Sequence, residues 1–250
     1  MRSHNDDFKV RHTVMFAFCT VTLTCGAAFA ESGFLTDYSR LQPVTSPTGT
    51  DLVYTAPDAF KRMADYTRVL IDWPEIHFSA DSEYRGMKPQ DIQALAQIMR
   101  DTLKSRIEAG GHYKVVAKPA ADVLYIRTAL TELYLKKKKR PVLAYTPVGA
   151  VAKVGTDALK ETLEKLDIIE MALEAEFADS QSGEVLAALV VERGARKRKA
   201  EGQKEQRMDV AEFRATIHEY SERLRCRLDN ARLTEEQWID CTNPQAREGR

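Results

Sequence analysis

Residues 167–192 combine two strongly apolar arms with a turn sequence between them. The turn runs from Asp179 to Gly183; its Asp and Ser side chains can bond to nearby backbone, and its Gly tolerates a positive φ. In the first arm, apolar residues alternate with Glu174 and Glu176, and a period of two is typical of a half-buried strand. The pattern predicts a β-hairpin around which a sheet can form. The Ala, Leu and Glu content of both arms leaves a helix as the alternative.

The composition is that of a globular protein. Of the 250 residues, 44% are hydrophobic and 30% are charged, which provides enough apolar material for a core. Lys plus Arg and Asp plus Glu both number 37, so no overall field attracts nucleic acid. The sequence has no apolar run of about twenty residues, so it predicts no membrane-spanning helix.

The first thirty residues resemble an export signal. Lys9 and Arg11 precede an apolar run, and Ala28-Phe29-Ala30 places small residues at −3 and −1 of a cleavage site before Glu31. Cleavage after Ala30 is the favoured interpretation. The alternative is lipidation at Cys25, where the preceding Thr22-Leu23-Thr24 is only a distant match to a lipoprotein box.

Export would place the domain in an oxidising compartment, where cysteines usually pair. Cleavage after Ala30 leaves Cys226 and Cys241, so the predicted disulfide can only join these two. The bond would close a loop of about fifteen residues and join the last helix to the tail. Two unpaired cysteines are the alternative.

Alternating apolar residues predict three strands before the hairpin. The first covers residues 68–79 and is interrupted at Pro74, because proline cannot donate a hydrogen bond to a sheet. The second is a short strand at 113–116. The third covers 123–135.

Two long amphipathic helices are predicted. The first covers 88–110, with Pro89 in its first turn and Gly110 at its end. The second begins at Asp209, and Glu212 three residues later makes a partial capping box. The apolar stripes consist of Ile92, Leu95, Met99, Leu103 and Ile107 in the first helix and Val210, Phe213, Ile217, Tyr220, Leu224 and Leu228 in the second.

The remaining segments are predicted to be loops. Residues 31–60 contain scattered Pro and Gly and predict an extended leader without a long regular element. The basic run at 136–140 predicts a solvated turn, with an anion-binding patch as the alternative. A loop and a short helix at 157–166 precede the hairpin, and a polar linker at 193–207 follows it. The C-terminal tail, 231–250, is expected to fray after Cys241.

Together these elements predict an α+β domain over residues 61–230. The expected architecture is a two-layer sandwich with a mainly antiparallel sheet and helices packed on one face, because striped helices need an apolar surface to cover.

Few residues form a recognisable chemical site. Asp72, Glu75 and His77 lie close together in sequence near Pro74, and a metal site or acid–base pair there is the alternative to a polar strand end. His112 and His218 lie outside any HxxxH spacing, so no zinc helix is predicted. The sequence also lacks GxSxG, GxxxxGK[ST] and GxGxxG motifs. We therefore assign no catalytic residue, no metal ligand and no cofactor.

Two further arrangements have a superficial resemblance to a catalytic nucleophile. The Asp179 to Gly183 segment has the residues that a tight turn needs for backbone reasons alone. Cys226 lies eight positions from His218 on the predicted last helix, but it could act as a nucleophile only without the disulfide. The structural interpretation is favoured for both.

Three stretches resemble a bacterial family catalogued as domain of unknown function 3313. They are SGFLTDYSRL at 32–41, DVLYIRTALT at 122–131 and DSQSGEVLA at 179–187. The resemblance covers about residues 32–228. It implies an envelope location and an α/β fold, and members commonly carry a lipidated cysteine. It implies no catalytic residues.

The sequence supports two hypotheses about function, one non-catalytic and one enzymatic. The first is a non-catalytic domain, periplasmic or at the periphery of the outer membrane, that binds an envelope protein, a lipid or a glycan and no nucleic acid. It would associate with a membrane only if Cys25 is lipidated. The second is a periplasmic hydrolase with an unrecognised site, which predicts a pocket where two or more of Asp72, Glu75, His77 and His112 meet.

Overall fold

The computed structural model describes residues 31–46, 49–137, 166–194 and 208–241. The predicted export signal with Cys25, the basic residues 138–140, the predicted helix before Leu166, most of the linker and the end of the tail lie outside them. The described strands are β1 (Gln42–Ser46), β2 (Gly49–Thr55), β3 (Arg68–Ile71), β4 (Glu75–Phe78), β5 (Lys114–Val116), β6 (Val123–Lys137), β7 (Leu166–Asp179) and β8 (Val185–Gly194). The described helices are α1 (Ala59–Asp65), α2 (Pro89–Ala109) and α3 (Val210–Asn230), with a 3-10 turn at Glu235–Gln237.

The predicted hairpin is confirmed, and the helical alternative is wrong. Strands β7 and β8 pair antiparallel, with Leu173 opposite Val191, and β6 pairs antiparallel with the other edge of β7. These three strands are the longest in the described part of the chain, and each of them has ten or more residues. The hairpin therefore lies at the centre of the sheet.

The sheet is mixed, which corrects the prediction of a mainly antiparallel one. Its order is β1-β2-β8-β7-β6-β3-β5, and β4 also pairs with β6. Strands β3 and β4 run parallel to β6, and β5 runs parallel to β3. The physical reason lies in α2. Its 21 residues carry the chain back along the sheet, so the next strands start at the end where β3 starts.

Pro74 divides what the sequence presents as one strand. Strand β3 pairs with the first part of β6 and β4 with the second part, along the same edge. Between them, the Asp72 backbone N–H still donates to the Ile126 carbonyl at 3.0 Å. Proline has no N–H to continue this pattern, so the break at Pro74 is confirmed.

The two faces of the sheet are covered differently. The inner face, which carries Leu130, Leu173 and Leu189, shares one hydrophobic cluster with the apolar stripes of α2 and α3. The outer face, which carries Ala129 and Val190, packs against apolar residues from the beginning of the described chain. The coarse α+β class is therefore confirmed.

Residues 31–60 are more regular than predicted. Strands β1 and β2 form an antiparallel pair there, and β2 joins the sheet by pairing with β8. The helix α1 begins at Ala59 and was not predicted. Both strands are short and contain Pro or Gly, so the local sequence does not predict them. The pairing of β2 with β8 brings them into the sheet.

The predicted capping box of the last helix and the predicted disulfide are both present. Asp209 accepts a hydrogen bond from the Glu212 N–H while the Glu212 side chain accepts one from the Asp209 N–H, so the capping box is complete. A disulfide joins Cys226 of α3 to Cys241, fifteen residues later. A thiol nucleophile at Cys226 is therefore ruled out in this form of the protein.

We expect the double substitution Cys226→Ala/Cys241→Ala to lower the free energy of unfolding by about 3 kcal/mol, because a loop of this size is then no longer constrained in the unfolded chain. Urea titration followed by circular dichroism measures the change. The wild-type protein in reductant is the matched control and should unfold like the double variant. Equal stability of the oxidised wild type and the double variant would contradict the prediction.

Candidate functional site

Two carboxylates lie buried on the outer face of the sheet. Glu174 and Glu176 of β7 are 1% and 4% exposed, although the alternation of β7 predicted a half-buried strand with these residues toward solvent. That prediction is wrong because the outer face of β7 has a cover of its own. A buried carboxylate is costly unless hydrogen bonds replace its water, and both side chains have such bonds.

The cover is the segment from Ser32 to Tyr38, which we call the N-terminal strap. The Tyr38 hydroxyl donates to Glu174 Oε2 at 2.6 Å, and Thr131 Oγ1 of β6 donates to Glu174 Oε1 at 2.6 Å. The same Tyr38 hydroxyl accepts from the backbone N–H groups of Phe34 and Leu35. Burial and the Glu174 carboxylate raise the pKa of Tyr38, so its hydroxyl remains a donor.

The strap also reaches the second carboxylate. The Thr36 backbone N–H donates to Glu176 Oε2 at 2.9 Å, and Arg127 Nη1 donates to Glu176 Oε1 at 3.1 Å. Arg127 in turn lies over the Phe34 ring, with 4.7 Å between its guanidinium carbon and the ring centroid. One arginine therefore ties the strap, β6 and β7 together.

Beyond Arg127, the polar network continues to an open sheet edge. Arg127 Nη2 donates to Glu75 Oε1 at 3.4 Å, and Glu75 Oε2 lies 2.9 Å from His77 Nε2. The Glu75 and His77 side chains are 47% and 34% exposed. The structure therefore brings together two of the predicted site residues, but at a surface edge.

The third predicted residue of this group has a separate partner. Asp72 accepts hydrogen bonds from the Tyr125 hydroxyl and from the Trp73 backbone N–H. Burial and the Asp72 carboxylate raise the pKa of Tyr125 to about 12. Tyr125 and Arg127 lie two positions apart on β6 and so on the same face, which places Asp72 on the outer-face side as well.

The other two histidines lie elsewhere. His112 is exposed and lies two residues before β5. The first residue of β5, Lys114, pairs with Arg68 at the start of β3, whereas Asp72 follows the end of β3. His112 is therefore at the opposite end of the strand. His218 is half-buried on α3. The hydrolase hypothesis required two or more of these groups in a pocket, and only Glu75 and His77 are bonded to each other.

The segment from Asp179 to Gly183 makes the contacts of a tight turn. Asp179 Oδ1 accepts from the backbone N–H groups of Gln181 and Ser182, and Gly183 has a φ of 72°. Hydrogen bonds from Ser182 lower the pKa of Asp179 to about 2. Tyr66 also donates to Asp179 Oδ2 at 2.7 Å, so the turn is bonded to the end of α1.

The basic run is partly a strand. Lys136 and Lys137 are the last residues of β6, where Lys136 Nζ lies 3.2 Å from Glu83 Oε1 and Lys137 lies over the Tyr84 ring. A turn was predicted here, and these two positions correct it. Residues 138–140 lie outside the described residues.

The strap network itself was missed by sequence reasoning. A signal was present, because Glu174 and Glu176 alternate with Leu173, Ala175 and Phe177 in the hairpin arm, and the earlier predicted strand carries Arg127 and Thr131 as possible donors. Within the described ranges, no group of three His, Cys, Asp or Glu residues is arranged to hold a metal ion. None of the helices in these ranges has the length and hydropathy needed to cross a membrane.

The fold and the site define a class of α+β domain in which a mixed sheet is closed on its outer face by the chain's own N-terminal strap. The chain belongs to the family described as protein of unknown function (DUF3313), whose model matches residues 30–224. This confirms the family resemblance. No curated protein matches the chain in sequence.

Solved structures with partial likeness include the following three bacterial proteins. The PelC dodecamer from Paraburkholderia phytofirmans is 12% identical, with 68% of this chain and 89% of that chain covered and a TM-score of 0.34. A putative neuraminyllactose-binding hemagglutinin homolog from Helicobacter pylori is 10% identical, with 73% and 90% covered and a TM-score of 0.33. A DUF4136 family protein from Bacteroides thetaiotaomicron is 15% identical, with 56% and 80% covered and a TM-score of 0.28. Likenesses this distant carry no argument.

We expect Tyr38→Phe to lower the free energy of unfolding by about 1–3 kcal/mol, because the buried Glu174 carboxylate loses a donor and the Leu35 N–H loses its acceptor, whereas the Phe34 N–H keeps Ser32 Oγ. Tyr84→Phe is the matched control, since the Tyr84 hydroxyl donates only to the nearby Gly86 carbonyl at the surface. Urea unfolding of both variants measures the difference. Equal stabilities would show that the strap bond is not stabilising.

The Asp179 turn predicts a pH dependence. Because its pKa is about 2 in the folded chain and higher when unfolded, the ionised carboxylate stabilises the fold above about pH 4, and this contribution is lost as the pH falls through about 2. We expect Asp179→Asn to be less stable at pH 7 and to show a shallower acid decline in urea titrations at a series of pH values. Asp101→Asn, on the exposed side of α2, makes the same change of charge as a control. Identical slopes in all three proteins would contradict the prediction.

Proposed function

We propose that the chain is an exported, non-catalytic domain of the cell envelope, in the periplasm or at the outer-membrane periphery, that binds another envelope component. The observation that carries the proposal is the disulfide between Cys226 and Cys241. Structural disulfides form and persist in oxidising compartments, and the envelope is such a compartment. The predicted signal over residues 1–30 supports the same location.

Lipidation at Cys25, the alternative to cleavage, would bring the strap close to a membrane. The strap begins at Ser32, and Cys25 precedes it by seven residues, a distance that an extended chain spans in at most about 25 Å. A lipid on Cys25 would therefore hold the outer face of the sheet near the membrane surface. Cleavage after Ala30 would instead release a domain that begins at Glu31, and the next residue, Ser32, is hydrogen-bonded to Tyr38.

The surface around Trp73 is suited to binding. Trp73 is 48% exposed, and Arg100 of α2 lies 5.0 Å from its ring centroid. Asp72, Glu75 and His77 lie on the same stretch of chain and add polar groups, with Asp72 and Glu75 bonded to Tyr125 and Arg127 on the outer-face side. An exposed aromatic side chain with polar neighbours is a common anchor for a protein or a glycan.

The Glu75–His77 contact favours one alternative, a periplasmic hydrolase that uses this pair for acid–base chemistry. Both side chains are open to water at a sheet edge. Catalytic pairs act most effectively where water is excluded and the charges around the reacting atoms are fixed. The binding function is therefore the better supported of the two.

We also propose the two-layer arrangement for the domain. Helices α2 and α3 share the hydrophobic cluster of the inner face, and the strap packs on the outer face. In this arrangement the helices form the second layer and the strap is only a local cover.

The location is tested by expressing the full chain in a Gram-negative host. We expect the mature protein in the envelope fraction, with Glu31 as its first residue by mass spectrometry and no change in Cys25→Ala. A fatty-acid modification that is lost in Cys25→Ala would support the lipidated form instead. An intact N-terminus in the cytosol would overturn the proposal.

The contact surface is tested by crosslinking in intact cells followed by purification. We expect the wild type and Trp238→Ala to capture the same envelope component and Trp73→Ala to lose it. Trp238 is a matched control because it is 41% exposed and contacts Phe60 of α1, whereas Trp73 contacts Arg100 of α2. Hydrolysis of an envelope ester or glycan that is lost in Glu75→Gln would favour the alternative function.

A further inference from the structure

One face of α3 buries a cluster of polar side chains apart from the outer face. Tyr220, Arg223 and Arg227 lie three and four positions apart and so line one side of the helix. Arg223 is 0% exposed and Tyr220 is 4% exposed. Asp51 of β2, also 0% exposed, faces Arg223 and forms an ion pair with it.

Several donors of this cluster have no acceptor. Arg223 donates through Nη2 to Asp51 and through Nε to the Cys241 carbonyl at 3.3 Å, but its Nη1 has no partner. Arg227 Nη1 and the Tyr220 hydroxyl also have no hydrogen-bond partner among the described residues. All three atoms are inaccessible to solvent. Buried donors without acceptors are rare in native proteins because each one loses its hydrogen bond to water.

Charged groups of both signs surround these donors. The Arg223 guanidinium pairs with the buried Asp51 carboxylate, the charges of Asp51 and Asp240 act on Arg227, and the charge of Glu174 acts on Tyr220. Burial and the charge of Arg223 lower the pKa of Arg227 to about 10, so Arg227 is still a cation at neutral pH. Tyr220, Arg223 and Arg227 therefore present their unpaired donors along one side of α3.

We propose that these three residues bind a small monovalent anion of the halide class, chloride in the cell, between α3 and β2. A halide accepts several hydrogen bonds without directional demands, so one ion can serve the unpaired donors of all three side chains. Water would accept at most two of these bonds. The site is closed by the tail, because the disulfide holds Cys241 where its carbonyl accepts from Arg223.

The first experiment measures thermal unfolding of the oxidised protein while chloride or bromide replaces gluconate at constant ionic strength. We expect the midpoint to rise by about 3–5 °C for each tenfold increase in halide above its Kd. Arg227→Met, which removes the donors and the charge but keeps an unbranched apolar side chain, should abolish the rise. Arg225→Met is the matched control and should retain it, since Arg225 pairs with Glu222 and Asp229 instead. A midpoint that is independent of halide in the wild type, or a rise that persists in Arg227→Met, would overturn the proposal.

The second experiment does not depend on the folding of a variant. Crystals of the wild-type protein grown in sodium bromide should show an anomalous peak within hydrogen-bonding distance of Arg223 Nη1 and Arg227 Nη1. Density without an anomalous signal at that position identifies water and overturns the proposal.

Discussion

The structure depends on hydrogen bonds to two carboxylates at the centre of its sheet. Glu174 and Glu176 lie on the longest hairpin, and their burial is tolerated only because Tyr38, Thr131, Thr36 and Arg127 supply donors. Two of those donors belong to the strap. A residue early in the chain and a hairpin some 140 positions later are therefore parts of a single interaction.

The length of β6 connects this buried network to the surface residues near Pro74. Strand β6 has β7 along one edge and both β3 and β4 along the other, because Pro74 ends one neighbour and lets a second begin. The same break exposes Trp73 and leaves Glu75 and His77 at an open edge. The surface that we propose for binding is thus a consequence of one proline in an otherwise continuous strand.

Helix α3 and the residues up to Cys241 pack against and stabilise the inner side of the domain. Helix α3 contributes its apolar stripe to the main hydrophobic cluster, and its polar side buries Arg223 against Asp51. The disulfide then brings Cys241 to the same place. A buried ion pair is weak evidence for stability in itself, since desolvation offsets much of the attraction, but it fixes which helix face meets β2.

Local patterns in the sequence determined most of the elements. The hairpin turn, the break at Pro74, the two long helices, the capping box at Asp209 and the pairing of the two cysteines all follow from residue types at short spacing, because each of them is a local or pairwise constraint. Only the tertiary structure decided that the sheet is mixed, that residues 42–55 join it, and that Glu174 and Glu176 are buried. These outcomes depend on contacts between segments far apart in the chain, and a period of two shows which side chains share a face without showing what covers that face.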